Sequence, residues 1–98
     1  MRLGVLVSDF RNVDDTLSRL KADKLGLILV GNGVYLAAVK ESGKPSQVLG
    51  MSPDIYALTE DLQTRGFSDA DVDKRVKTIT YDGLVDLIFN DYEKVIWI

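Results

Sequence analysis

A small α/β domain built on a parallel or mostly parallel sheet is the fold class this sequence predicts, on three observations. Short continuous apolar runs, Leu3-Gly4-Val5-Leu6-Val7 and Leu25-Gly26-Leu27-Ile28-Leu29-Val30 above all, have the make-up of strands buried on both faces. Stretches with helical spacing and capping residues fall between such runs. The two patterns alternate five times, as expected of a sheet covered by helices on both sides. With 98 residues and no linker, repeat or low-complexity stretch, the chain reads as one domain, residues 1–98.

The first run ends at Ser8-Asp9. Asn12 is placed to cap a helix, with Asp14 and Asp15 complementing its dipole and Val13, Leu17 and Leu20 forming its inward stripe. Lys21 and Lys24 sit toward its other end, where positive charge is favoured. The second strand, Leu25 to Val30, stops at Gly31-Asn32-Gly33, three residues that tolerate positive φ. Val34 to Val39 reads equally as a short helix or a strand. Glu41 to Ser46 holds Gly43 and Pro45 and is a loop; Gln47 to Met51 reads as one further helical turn.

Pro53 opens a third strand, Asp54 to Leu58. Thr59 is positioned to cap a helix over Glu60 to Arg65, with Glu60 and Asp61 in its first turn and Gly66 as its stop. Ser68 and Asp71 have capping-box spacing, which predicts a short helix from Asp69 to Arg75. Val76 to Thr80 alternates as a fourth strand, with Val76, Thr78 and Thr80 on one face. Tyr81 to Asn90 is the last helix, turning Leu84, Leu87 and Ile88 inward. Lys94 to Ile98 is a terminal strand.

Composition narrows the function. The net charge is -3, and the one basic stretch, Lys74-Arg75-Val76-Lys77, follows Asp69, Asp71 and Asp73. A protein that binds nucleic acid by neutralising phosphates needs a basic stripe, so no direct nucleic-acid partner is expected. Without cysteine or histidine there is no thiolate nucleophile, no disulfide and no imidazole base or ligand. No metal or cofactor is expected. The run Leu3 to Val7 is too short for a signal-peptide core, and no stretch approaches the ~18 apolar residues of a membrane span. The expected address is the cytoplasm.

Each candidate site has a plain structural alternative. Gly31-Asn32-Gly33 follows a buried strand, where open α/β sheets gather ligands or partners; a tight turn explains the same residues. It is neither a dinucleotide fingerprint, since Leu36 stands where the third glycine belongs, nor a phosphate-binding P-loop. Glu60 and Asp61 are adjacent carboxylates, but neighbours on a helix point ~100° apart and do not converge on one substrate atom. That disfavours a carboxylate hydrolase. Asp69, Asp71 and Asp73 lack the glycine and distant glutamate of a calcium loop. Among the aromatics, Phe67, Tyr92 and Trp97 lie near element ends and are the candidates for an interface, Trp97 above all.

Three segments carry a family resemblance. Ile55-Tyr56-Ala57-Leu58-Thr59-Glu60-Asp61-Leu62-Gln63-Thr64-Arg65-Gly66-Phe67 resembles the "VYAL-x-EDL-x-x-RG-L" segment of the TusB/DsrH family, with Tyr56, Glu60, Asp61 and Arg65 as its distinctive residues. Leu27 to Val34 resembles that family's apolar strand and "Q-D-G-V" turn. Ile79 to Leu87, closing on Val95-Ile96-Trp97-Ile98, resembles its last helix and aromatic-bearing terminal strand. The resemblance implies the DsrE-like fold, a three-layer α/β/α sandwich with a five-stranded, mainly parallel sheet. It also implies a subunit of a heterohexameric sulfur-relay complex of the TusBCD or DsrEFH kind, with DsrE/TusD-like and DsrF/TusC-like partners. The Tus branch passes persulfide sulfur toward 2-thiolation of the tRNA wobble uridine; the Dsr branch serves sulfur oxidation. In the Tus complex the active cysteine belongs to the DsrE-type partner. Two departures stand out: this chain lacks the first-helix cysteine of some DsrH members, and Asn32 replaces the turn aspartate.

The expectation is therefore a non-catalytic subunit, since a sulfur carrier needs a thiolate to hold persulfide. It should not be a free monomer, forming a homodimer alone or a hetero-oligomer with those partners. The alternative is a self-associating domain that binds a small ligand at the loop after the second strand.

Overall fold

Five strands form one sheet in the order β4-β3-β2-β1-β5, and every neighbouring pair is parallel. The computed structural model describes residues 2–8, 24–37 and 54–98. The strands are β1 (Arg2–Val7), β2 (Lys24–Leu29), β3 (Asp54–Leu58), β4 (Val76–Ile79) and β5 (Lys94–Trp97). All five lie within a residue or two of the apolar runs that predict them. Lys24 opens β2 rather than closing a helix. The expected first helix, the loop from Glu41 to Ser46 and the turn from Gln47 to Met51 lie outside the described residues.

The register sorts the side chains onto two faces. Val5 pairs with Leu27 and Ile96, Leu27 with Ile55, and Ile55 with Val76. These share the first face with Leu3, Val7, Leu29 and Ala57, and Val34, Ala37, Leu62 and Phe67 pack on them. The second face carries Leu6, Ile28, Tyr56, Leu58 and Ile79, packed with Leu84 and Leu87. Burial on both faces explains the unbroken apolar runs.

The described part of the ambiguous stretch after β2 continues a 3-10 helix, Gly31–Leu36. Helix α1 spans Thr59–Thr64 and helix α2 spans Tyr81–Asp91. Thr59 is not the cap of α1: Leu58 holds the capping position, with no side-chain cap bond. The stop is as expected. Gly66 takes φ +78, its amide donates to the Gln63 carbonyl, and the Phe67 amide donates to the Leu62 carbonyl at 2.9 Å. That is the Schellman pattern, with Phe67 and Leu62 supplying its apolar contact.

The helix expected over Asp69 to Arg75 contracts to one 3-10 turn, Asp69–Asp71. The Asp71 carboxylate accepts from the Ser68 amide at 2.9 Å, so the back-reaching half of the capping box forms. The chain then leaves helical geometry because the Asp73 amide donates to Ala37 O at 2.8 Å, a tertiary bond that replaces a helical one. Thr80 caps α2 instead of extending β4; its hydroxyl accepts from the Gly83 amide at 3.3 Å.

Leu62 ties α1 to the first face, whereas Leu84 and Leu87 tie α2 to the second. This gives three layers, α/β/α. The connections leaving adjacent strands β3 and β4 therefore turn to opposite sides, and a crevice opens between them. In open α/β sheets that switch point, at the carboxyl ends of the strands, is where ligands collect.

Candidate functional site

A pocket of about 310 Å³ lies at this carboxyl end of the sheet, between α2 and the ends of β1, β2, β3 and β5. Leu6 and Ser8 of the β1 end, Val30 and Gly31 beyond β2, Leu58 and Asp61 at the start of α1, Tyr81 and Leu84 of α2, and Trp97 of β5 line it. Its wall is mostly aliphatic and aromatic; polar atoms sit at the edge. Ser8 Oγ accepts from the Trp97 indole N–H at 2.8 Å and donates to the Ile98 carbonyl at 2.8 Å. The indole plane is thereby held at the mouth while Trp97 remains 68% exposed.

The loop and the family motif form one network beside the pocket. The Gly31 amide donates to Asp61 Oδ2 at 2.7 Å. Arg65 donates to Asn32 Oδ1 at 3.0 Å and to the Asp61 carbonyl at 3.2 Å, and its guanidinium lies 5.9 Å from the Tyr35 ring centre. Tyr35 meets Phe67 edge-to-face at 5.5 Å. Glu60 Oε2 accepts from the Tyr81 amide at 3.2 Å, bridging the first turns of α1 and α2. Its other oxygen is buried without a partner among the described residues. Glu60 and Asp61 thus reach to different elements and do not converge.

The two glycines of the loop serve different needs. Gly31 takes φ +52, the left-handed region. Gly33 does not; a Cβ there would overlap the Val7 carbonyl, so the close approach of the loop to β1 requires glycine. The sequence shows only that both residues tolerate positive φ.

The remaining candidates separate by burial. Phe67 and Tyr92, expected at an interface, are 4% and 7% exposed and belong to the core of this chain. Tyr92 lies across β1 and β2 on the second face, where Gly4 and Gly26 leave room for its ring; a Cβ on Gly26 would overlap the phenol. Burial, and then the negative charges of Tyr56, Asp54 and Asp91, push its hydroxyl up to about 12. Tyr56 is half-buried beside it, with Lys77 Nζ 5.7 Å from its ring centre; burial and the nearby Asp54 and Asp91 raise its hydroxyl. Tyr56 does not reach the Asp61–Arg65 network. Hydrogen bonds from Arg75 hold the Asp73 carboxylate below its ordinary value.

Among the described residues, no three Asp or Glu side chains gather where they could hold a metal ion, and no helix is long and apolar enough to cross a membrane. Sequence reasoning missed Ser8 and Tyr81 as pocket residues. Their places immediately after β1 and at the start of α2 were the available signal, because such positions line the crevice of an open sheet.

Comparison with known proteins agrees with this architecture. The solution NMR structure of protein Tm0979 from Thermotoga maritima is similar at 27% identity, with a TM-score of 0.62 over 91% of this chain and 93% of that one. The structure of MTH1491 from Methanobacterium thermoautotrophicum, a protein of unknown function, superposes with a TM-score of 0.69 at 16% identity, covering 99% of this chain and 98% of that one. No curated protein matches. The family model for DsrH-like proteins matches residues 8–94, which takes in the loop, the Glu60–Arg65 motif and helix α2: the chain belongs to the DsrH-like family.

Proposed function

We propose that this chain is a non-catalytic subunit of a sulfur-relay complex resembling TusBCD/DsrEFH, supporting persulfide transfer toward 2-thiolation of the tRNA wobble uridine. The observation that carries the reading is a DsrH-like match over residues 8–94 in a chain without a single cysteine. Family membership supports a sulfur-relay subunit, and the missing thiolate assigns the carrier role to a partner. What remains for this chain is to complete the assembly and shape the partner's site. The Asp61–Gly31 and Arg65–Asn32 bonds tie the loop after β2 to α1, which fits such a role.

The test is co-expression with DsrE-like and DsrF-like proteins of the same organism, followed by transfer of labelled persulfide sulfur. One hetero-oligomer is expected, with label on the partner's cysteine and none on this chain. Label that stays on this chain after free sulfide is removed would overturn the reading. So would a chain that stays monomeric and ignores both partners. Disrupting its gene should lower tRNA 2-thiouridine; unchanged tRNA with impaired sulfur oxidation would move the chain to the DsrEFH-type pathway. The aliphatic pocket favours a second reading, a self-associating domain that binds a small apolar ligand.

A further inference from the structure

Helix α2 is apolar over more of its circumference than the sheet covers. With 3.6 residues per turn, Leu87, Leu84, Ile88, Tyr81, Val85 and Phe89 span an arc of roughly 200°. A helix that only covers a sheet needs about half of that. Leu84 and Leu87 use the inner part of the arc against the second face. Tyr81, Val85 and Phe89, spaced i, i+4 and i+8, form an outer stripe, and Phe89 is 80% exposed. The stripe is continuous with the pocket, because Tyr81 and Leu84 line it together with Leu6 and Trp97. At the carboxyl ends of β1 and β5, beyond the seat of Tyr92, the described residues of the second face thus leave an apolar groove that ends at the exposed indole.

The border of this groove is acidic. Asp82 and Asp86 follow the stripe on the exposed flank of α2, and neither has an ion-pair partner among the described residues. No Lys or Arg lies anywhere in α2, and its last turn ends on Asp91, against the helix dipole. Two copies of α2 packed against each other would set carboxylate against carboxylate.

We propose that the groove between α2 and β5 docks a different subunit, one that presents an apolar ridge bordered by Lys or Arg. This rests on the reading of the chain as an assembly subunit and names the surface it uses. An acidic rim favours a basic partner through encounter rate and register, while buried aromatics supply most of the affinity.

The test measures binding of the wild-type chain, Phe89→Ser and the double variant Asp82→Lys/Asp86→Lys to the DsrE-like and DsrF-like proteins at low and high salt. All altered side chains are exposed, so melting temperatures should stay within a few degrees of wild type. Phe89→Ser should weaken binding at least tenfold at both salt concentrations. The double charge reversal should weaken it at least tenfold at low salt and much less at high salt. If wild type binds and both variants bind equally well, the groove is not the interface, although the subunit reading stands. If wild type binds neither protein, both fail together. A wild-type homodimer that Phe89→Ser dissolves would make a second copy the occupant and overturn the proposal.

Discussion

The Gly31 amide and the Asp61 carboxylate meet at 2.7 Å across a sequence separation of 30 residues. This bond welds the turn after β2 to the first turn of α1, and Arg65 reinforces it from the same helix by reaching Asn32. Asp61 therefore works as a brace as well as a partner for the helix dipole. Asp61→Ala should cost about 2 kcal/mol, the scale of a hydrogen bond to a charged group. Asp61→Asn keeps an acceptor and should cost less than half as much. Urea unfolding of the two variants provides the comparison; equal losses would mean that the bond to Gly31 contributes little.

Asn32→Ala should be nearly silent in stability, because its bond to Arg65 is solvent-exposed. Gly31→Ala places a side chain at φ +52, a cost of about 1 kcal/mol. Gly33→Ala drives a Cβ into the Val7 carbonyl and should cost more, about 3 kcal/mol. Thermal melts should rank the variants Asn32, Gly31, Gly33 from least to most damaging. The reverse order of the two glycines would show that backbone conformation, rather than space, governs the loop.

Much of this architecture was legible because it is local. The runs at Leu3, Leu25, Ile55 and Val95 mark strands without reference to anything distant, and Gly66 stops α1 through its own φ. The misjudged elements depend on long-range partners. Asp73 leaves the helical path to bond Ala37, which no spacing rule in residues 69–75 announces. Tyr92 looks like a surface aromatic until β1 and β2 come into register and Gly4 and Gly26 open a seat for its ring. The pocket is illegible for the same reason: its lining comes from the ends of five separate segments.

Tyr92 offers a test by pH. Its hydroxyl is buried without a hydrogen-bond partner among the described residues, and its pKa is pushed up to about 12. An acid whose pKa rises on folding binds its proton more tightly in the native state. The associated stability is complete below the unfolded value near 10 and is lost as pH rises toward 12. Unfolding free energy should therefore fall between pH 10 and 12, and Tyr92→Phe should flatten that fall. At pH 7 the same substitution should be neutral or slightly stabilising, since it removes an unsatisfied polar atom. A clear destabilisation at pH 7 would reveal a partner for the hydroxyl.

Trp97 and Phe67 distinguish an anchor from a core residue. Both are large aromatics near element ends, and their sequence contexts do not separate them. Phe67 is almost fully enclosed, against Leu62 and the edge of Tyr35. Removing its ring leaves a cavity and should cost about 3–5 kcal/mol. Trp97 is largely exposed, and among the described residues its indole is held by a hydrogen bond to Ser8. Trp97→Ala should therefore cost no more than about 1 kcal/mol in the isolated chain. Its effect should appear in assembly, because exposed aromatics at the mouth of an apolar pocket are the side chains that carry interface energy. Melting curves and sedimentation on the same samples separate the two. Phe67→Ala should lower the melting temperature whatever the oligomeric state, whereas Trp97→Ala should keep the melt of the isolated chain and lose the complex. A loss of several kcal/mol for Trp97→Ala without any partner present would place the indole in the core of the fold and remove it from the docking surface.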